Sequence, residues 1–235
     1  MMNNPAFVSL TFDDGLRCQF ERAVPILDQY GLPATFFLIA NPSPWHENPN
    51  WRKIEWNDND IQFLKSMTRR GHEIGSHSKS RKNPDGPEWL PDSDPTSEAE
   101  DSKTLIDRWM GMEIQSFCYP FCKKPGPLKN AVKAAGYTQA RAGATDAAYY
   151  SPQDSVDWFD VDCRCIRENE NVGGWMRPDC WHILMFHGIG TWDDGWEPIS
   201  VPEFTRQMAE LEKHRESGTV EVVTFKDGAN RLRGK

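Results

Sequence analysis

Two neighbouring carboxylates, Asp13 and Asp14, stand just past the apolar run Ala6 to Phe12 and are followed by Gly15. Two histidines are similarly placed: His77 at the end of the run Glu73 to Ser78, and His187 directly after His182 to Phe186. Adjacent carboxylates at the end of an apolar strand are costly to bury unpaired. They make chemical sense when one binds a cation and the other handles protons, with an imidazole, which changes charge near neutral pH, serving the second proton transfer. Taken alone, Asp13-Asp14-Gly15 also reads as a turn capping the next helix.

These groups need strands to carry them, and the chain alternates β-like and α-like segments from end to end. After Ala6 to Phe12, the stretch Gln19 to Tyr30 reads as a helix with Val24, Leu27 and Tyr30 on one face and Gly31 as its stop. Pro33 to Ala40 is a second strand. Asn57 or Asp58 caps a helix carrying Ile61, Leu64 and Met67, stopped at Gly71, and Glu73 to Ser78 is a third strand. Residues 79 to 95 form a long loop. Ser97 with Glu100 predicts a capping box opening the next helix, and Ser200 with Glu203 predicts another. Strands are expected at Ser116 to Tyr119, Tyr137 to Arg141, Trp158 to Cys165, His182 to Phe186 and Glu221 to Phe225, with a helix at Pro127 to Ala135. Seven or eight strands interleaved with helices imply an α/β fold with parallel strands. No glycine-rich dinucleotide fingerprint follows the first strand, which favours a distorted (β/α) barrel over an open doubly wound sheet. In such barrels the chemistry lies at the C-terminal strand ends, where Asp13, His77 and His187 fall.

The composition agrees. A chain of 235 residues with 38% hydrophobic side chains suits one domain spanning residues 1–235, since α/β barrels run to about 200–250 residues as one unit. A net charge of −8 without a Lys/Arg run argues against nucleic acid as partner. No apolar run approaches the roughly 20 residues of a membrane span. No basic n-region or cleavable apolar segment precedes Ala6, so the reading is a cytoplasmic protein, with Cys18, Cys118, Cys122, Cys163, Cys165 and Cys180 as thiols. Cys163 and Cys165 share one strand face and read as small core residues in preference to a metal pair.

The order of motifs adds a resemblance. T-F-D-D-G (Thr11 to Gly15), A-T-F-F (Ala34 to Phe37), G-H-E-I-G-S-H-S (Gly71 to Ser78), F-x-Y-P (Phe117 to Pro120) and L-M-F-H-G (Leu184 to Gly188) follow one another along the chain. Together they resemble the polysaccharide deacetylase family, the NodB-homology or carbohydrate esterase family 4 group, from about Phe7 to Leu232. The resemblance implies a distorted (β/α) barrel and removal of acetyl groups, usually from N-acetylglucosamine polymers and sometimes as O-acetyl from xylan. It implies Asp13 as general base, Asp14 and His77 as metal ligands, the backbone N–H of Phe121 as oxyanion donor and His187 as general acid. A divalent ion, zinc by default, would polarise the acyl carbonyl and acidify its water.

Two positions depart from that pattern. The family's second metal-binding histidine, four residues after His77, is Arg81 here. A guanidinium has donors but no acceptor and cannot ligate a metal. Three outcomes follow: a weaker site on Asp14 and His77; a substitute ligand from Asp85, Asp92, Asp94 or His46; or Arg81 pairing with Asp14 in a metal-free pocket, as the electrophile. The arginine that often braces the catalytic aspartate, two residues before the proline, is Cys118, which leaves Asp157 and Asp162 as candidates to orient Asp13 or His187. Trp45, Trp89, Trp192 and Trp196, with Trp51 and Trp56, fall in loops on the catalytic face and are candidates to stack on sugar, with Arg81 as a further substrate contact. The leading expectation is therefore a hydrolase acting on an acetylated saccharide or related small amide. The alternatives are a metal-independent hydrolase of another non-peptide C–N bond and a saccharide-binding barrel that has lost turnover.

Overall fold

The apolar runs read from the sequence form a cylinder of parallel strands. In the computed structural model, which describes residues 4–41, 50–82, 94–145 and 148–234, β1 (Ala6–Phe12) is buried along its whole length. It pairs in parallel with β2 (Ala34–Leu38) on one side and with β8 (Trp181–Phe186) on the other. Between these run β3 (Glu73–Ser76), β4 (Ser116–Cys118), β5 (Gln139–Ala144) and β7 (Val161–Cys165), so that seven parallel strands close on themselves. A short β6 (Tyr149–Tyr150) adds antiparallel to the start of β8, and β9 (Val220–Val222) adds in parallel to the start of β1.

Strands buried on both faces need apolar side chains throughout, because helices cover the outside and the barrel fills its own interior. The outer layer is α1 (Val24–Tyr30), α2 (Asp58–Arg69), α3 (Pro95–Met110), α4 (Gly126–Ala134), α5 (Val201–Glu216) and α6 (Phe225–Leu232). A π-helical turn, Gln19–Ala23, leads into α1. Gly31 ends α1 in the left-handed conformation at φ 62°, and the Asn57 side chain accepts from Asp60 N–H at the start of α2, both as expected.

Three boundaries differ. Helix α3 begins at Pro95 and is capped by Asp94, whose carboxylate accepts from Thr96 N–H, three residues ahead of the expected cap Ser97. Proline suits the first helical turn, and Asp94 stands directly before it. Ser97 instead donates to Asp101, and Glu98 accepts from Ser80. Helix α5 follows Ser200 as expected, but no box forms: Ser200 bonds Glu168, while Glu203 pairs with Arg206 and Gln207. The expected strand Glu221 to Phe225 is cut short at Val222, because Thr224 and Asp227 make a reciprocal cap that starts α6.

Among the described residues no helix is long and apolar enough to cross a membrane. All six cysteines are free thiols.

Candidate active site

Five strand ends deliver the polar groups to one place. Asp13 and Asp14 leave β1, His77 leaves β3, Phe121 follows β4, Arg141 stands within β5, and His187 leaves β8. The backbone at these ends is unusual: Asp14 (φ 76°), Ser78 (φ 66°), Arg81 (φ 55°), Phe121 (φ 55°) and Cys122 (φ 58°) all adopt the left-handed region. Non-glycine residues pay steric energy there, and such strain concentrates at functional sites.

Asp13 is buried, and its two oxygens differ. Oδ2 meets the Arg141 guanidinium and lies 3.8 Å from His187 Nε2. Oδ1 is buried without a hydrogen-bond partner among the described residues. Burial works against its charge, but the Arg141 guanidinium outweighs burial and holds the carboxyl below its usual range. His187 is pushed the other way. Burial lowers its pKa despite the nearby Asp13 and Asp14, so the resting imidazole is neutral at pH 7. Its Nδ1 has no partner among the described residues, and its ring meets that of Trp196 edge-on, 5.0 Å between centroids.

Arg141 is the residue that motif reading passes over. It is the cross-strand partner of Cys118 in the β4–β5 register, so a guanidinium arrives from one strand further round the barrel than the family's usual arginine. It is fully buried; its terminal nitrogens also meet Cys118 Sγ (2.8 Å), Cys163 Sγ (2.7 Å) and Met185 Sδ (2.9 Å), while Nε has no hydrogen-bond partner among the described residues. Burial raises the Cys118 and Cys163 thiols, the latter to about 12, so they stay neutral around the cation. The signal in the sequence was an arginine within an otherwise small and apolar strand. Asp157 and Asp162 do not take the orienting role: Asp157 pairs with Lys129, and Asp162 N–H bonds the Tyr150 hydroxyl on β6.

Gln19 was also missed. Fully buried in the π-helical turn, its Nε2 donates to the carbonyl of Asp13 (2.6 Å) and to that of His187 (3.0 Å), tying the two strand ends together.

Asp14 and His77 come together, with Oδ1 and Nε2 3.4 Å apart. That is close to the edge of a tetrahedral zinc site, about 3.3 Å for ligands at 2.0–2.1 Å. His77 Nδ1 faces the Cys118 carbonyl at 3.0 Å, which makes it the protonated nitrogen and leaves the Nε2 lone pair free to accept. Arg81 takes what a metal would need. Its Nε contacts Asp14 Oδ1 and donates to His77 Nε2 at 3.3 Å, and its Cζ sits 4.5 Å over the Phe121 ring. A second cluster, Asp13, His77 and Cys118, has ligand atoms within 4.8 Å of one another, but two of its members already face Arg141. A divalent ion therefore does not fit this donor set as arranged. Of the substitute ligands, Asp94 caps α3 instead; His46, Asp85 and Asp92 lie outside the described residues.

Trp45 and Trp89 also lie outside the described residues. Trp192 and Trp196 are 66% and 43% exposed on the loop after β8, and that loop is fastened by Trp51 Nε1 donating to the Trp192 carbonyl (2.9 Å) and by Asn50 to Asp193 (2.9 Å). Trp56 is buried and stacks on Trp109.

Comparison with known proteins agrees with this arrangement: the polysaccharide deacetylase family matches residues 2–140. The chain belongs to that family. Among proteins of known sequence, YxkH of Bacillus subtilis (strain 168) is 28% identical over 149 residues, 61% of this chain and 49% of that protein. A gellan lyase from Bacillus sp. is 26% identical over 160 residues, 68% of this chain but 6% of the lyase. The chain thus spans about half the length of the first of these relatives. Solved folds of polysaccharide deacetylase type superpose over nearly the whole chain. The Xyl-CE4 domain of a multidomain xylanase from the hindgut metagenome of Trinervitermes trinervoides gives a TM-score of 0.63 at 18% identity, covering 98% of this chain and 92% of the domain. The peptidoglycan deacetylase PdaC of Bacillus subtilis gives 0.61 at 16%, covering 100% and 94%. A family 4 acetyl xylan esterase from Clostridium thermocellum, solved with cobalt, gives 0.58 at 21%, covering 97% and 92%. At these identities the likeness establishes the (β/α) barrel.

Proposed function

We propose that this polysaccharide deacetylase-family barrel hydrolyses an acetyl group from a saccharide, with an N-acetylglucosamine-type amide as the preferred substrate and O-acetyl as a second linkage. The observation that carries the reading is the asymmetry of Asp13. One oxygen is fixed by Arg141, while the other is buried, ionised and without a partner among the described residues. A carboxylate held in that way is suited to take a proton from water.

In the proposed reaction, the water oxygen attacks the acyl carbon as Asp13 takes its proton, and the carbonyl π pair moves onto oxygen. The Phe121 N–H and the positive charge of the site face that oxyanion. When the pair returns, the C–N bond breaks with its electrons going to nitrogen. His187 is neutral at rest, so in the proposed reaction the proton that reaches nitrogen is replaced by the one Asp13 has taken on Oδ1, with the imidazole, whose Nε2 lies 3.8 Å from Asp13 Oδ2, as the neighbouring relay. The products are the carboxylic acid and the free amine. Trp196, edge-on to His187, and Trp192, exposed on the same loop, supply apolar faces on which a pyranose ring can stack.

Acetate release from N-acetylglucosamine oligomers tests the reading. Wild type should turn over, and Asp13→Asn should lose on the order of 10²–10⁴-fold in kcat, the usual share of a general base. Saccharide binding that persists in both proteins without acetate release from either would overturn the enzyme in favour of a binding barrel.

A further inference from the structure

We infer that the Arg81 guanidinium stands in the place of the divalent ion, so that this site works without a metal and the chain's own fixed charge faces the acyl oxygen. The inference rests on the hydrolytic reading above and deepens it.

Three observations carry it. The two atoms that would bind a metal both face the same cation: Asp14 Oδ1 is in ion-pair contact with Arg81 Nε, and His77 Nε2 accepts the Nε hydrogen bond at 3.3 Å. The Cys118 carbonyl fixes the His77 tautomer that makes this possible. Second, among the described residues Asp13 and Asp14 face Arg141 and Arg81, all four buried, so a dication would add to positive charge already held away from water. Third, Arg81 is fastened in place. It holds φ 55°, its N–H bonds the Ser78 hydroxyl at 2.9 Å, and its Cζ sits 4.5 Å from the ring centre of Phe121, the residue whose N–H is assigned to the oxyanion. A guanidinium keeps its charge at every working pH, so it needs neither an ion from solution nor a protonation step.

The reaction keeps its proton balance. Negative charge leaves Asp13 as it takes the proton of water and develops on the acyl oxygen, and Arg81 is the preorganised cation toward which that charge moves.

Zinc and cobalt titrations followed by calorimetry, together with elemental analysis of the purified protein, test the inference without any turnover. Wild type should carry substoichiometric metal and give no saturable binding. Arg81→His should bind zinc stoichiometrically and, loaded with cobalt, show visible absorption that wild type lacks. In kinetics, wild-type turnover should survive chelator. Arg81→Met, checked for folding by circular dichroism, should lose on the order of 10²–10³-fold in kcat, the loss expected for one oxyanion-stabilising donor, with KM little changed. Stoichiometric zinc in wild type with activity lost to chelator would overturn the inference, as would unchanged kcat in folded Arg81→Met. If wild type releases no acetate from any sugar, the hydrolytic reading fails, while the metal titrations still decide which cation the pocket holds.

Discussion

Each aspartate of the pair has its own arginine, and the two pairings do different things. Arg81 forms an ion pair with Asp14, the carboxylate that the resemblance assigns to a metal, whereas Arg141 holds Oδ2 of Asp13 and leaves Oδ1 without a hydrogen bond among the described residues. A buried carboxylate without a counter-charge would be neutral at pH 7 and useless as a base. Arg141 is therefore a positioning residue whose effect is read in a pH profile. In Arg141→Met the term that lowers the Asp13 pKa disappears and burial, which raises it, is unopposed. The acid limb of kcat/KM should then move to higher pH, and urea unfolding should show a loss of about 3–5 kcal/mol, the range for breaking a buried ion pair. Arg141→Lys, which keeps the charge but not the fork, should restore most of the pH profile. An unshifted acid limb in folded Arg141→Met would mean that Arg141 only fills the barrel. Asp13, Asp14, His77 and His187 were legible because each follows an apolar strand within a short motif. Arg141 and Gln19 were not, because Arg141 reaches Asp13 across 128 residues and Gln19 reaches the His187 carbonyl across 168. Such meetings depend on strand register, which no local pattern encodes.

At the scale of elements, strand placement was readable and strand ends were less so. Continuous apolar runs marked β1, β2 and β8, since a strand covered on both faces has no polar alternation to lose. The ends depended on competing caps: Asp94 against Ser97, and Thr224 against continued pairing of β9. The element most sensitive to a small change is β3, which holds His77 one residue beyond its end. A Cβ at Gly75 would lie 2.7 Å from the Phe37 ring and 2.9 Å from the Ser116 carbonyl. Both neighbours belong to the flanking strands, so neither can swing away. Gly75→Ala should cost about 1–3 kcal/mol by overpacking, read as a lower urea midpoint at unchanged m-value. It should also lower kcat by displacing His77 from Asp14. Full stability with normal kcat would show that the barrel wall yields here.

At the scale of the whole molecule, the buried histidines set how the barrel meets acid. Burial lowers the pKa of His72, His182 and His187, with His182 reaching about 4. In the unfolded chain each returns to about 6.5, so between pH 6.5 and 4 the unfolded state binds more protons than the folded one. Stability is then fully present above pH 6.5 and is lost as pH falls through that window. His182, lowered to about 4 by burial, alone contributes on the order of 3 kcal/mol. Glu73 acts in the opposite sense. Burial raises its carboxyl despite hydrogen bonds from Ser116, Thr35 and Lys226 N–H, so its protonation favours the folded state as pH falls through its raised value. Three imidazoles act against this one carboxyl. Urea midpoints measured from pH 7.5 to 4.5 should therefore fall steadily from near pH 6.5, well above the range where Asp13 and Asp14 lose their charge. His182→Gln, which cannot titrate, should flatten the slope while keeping the same sign. A midpoint constant down to pH 4.5 would mean that these imidazoles take up protons in the folded barrel as readily as in the open chain.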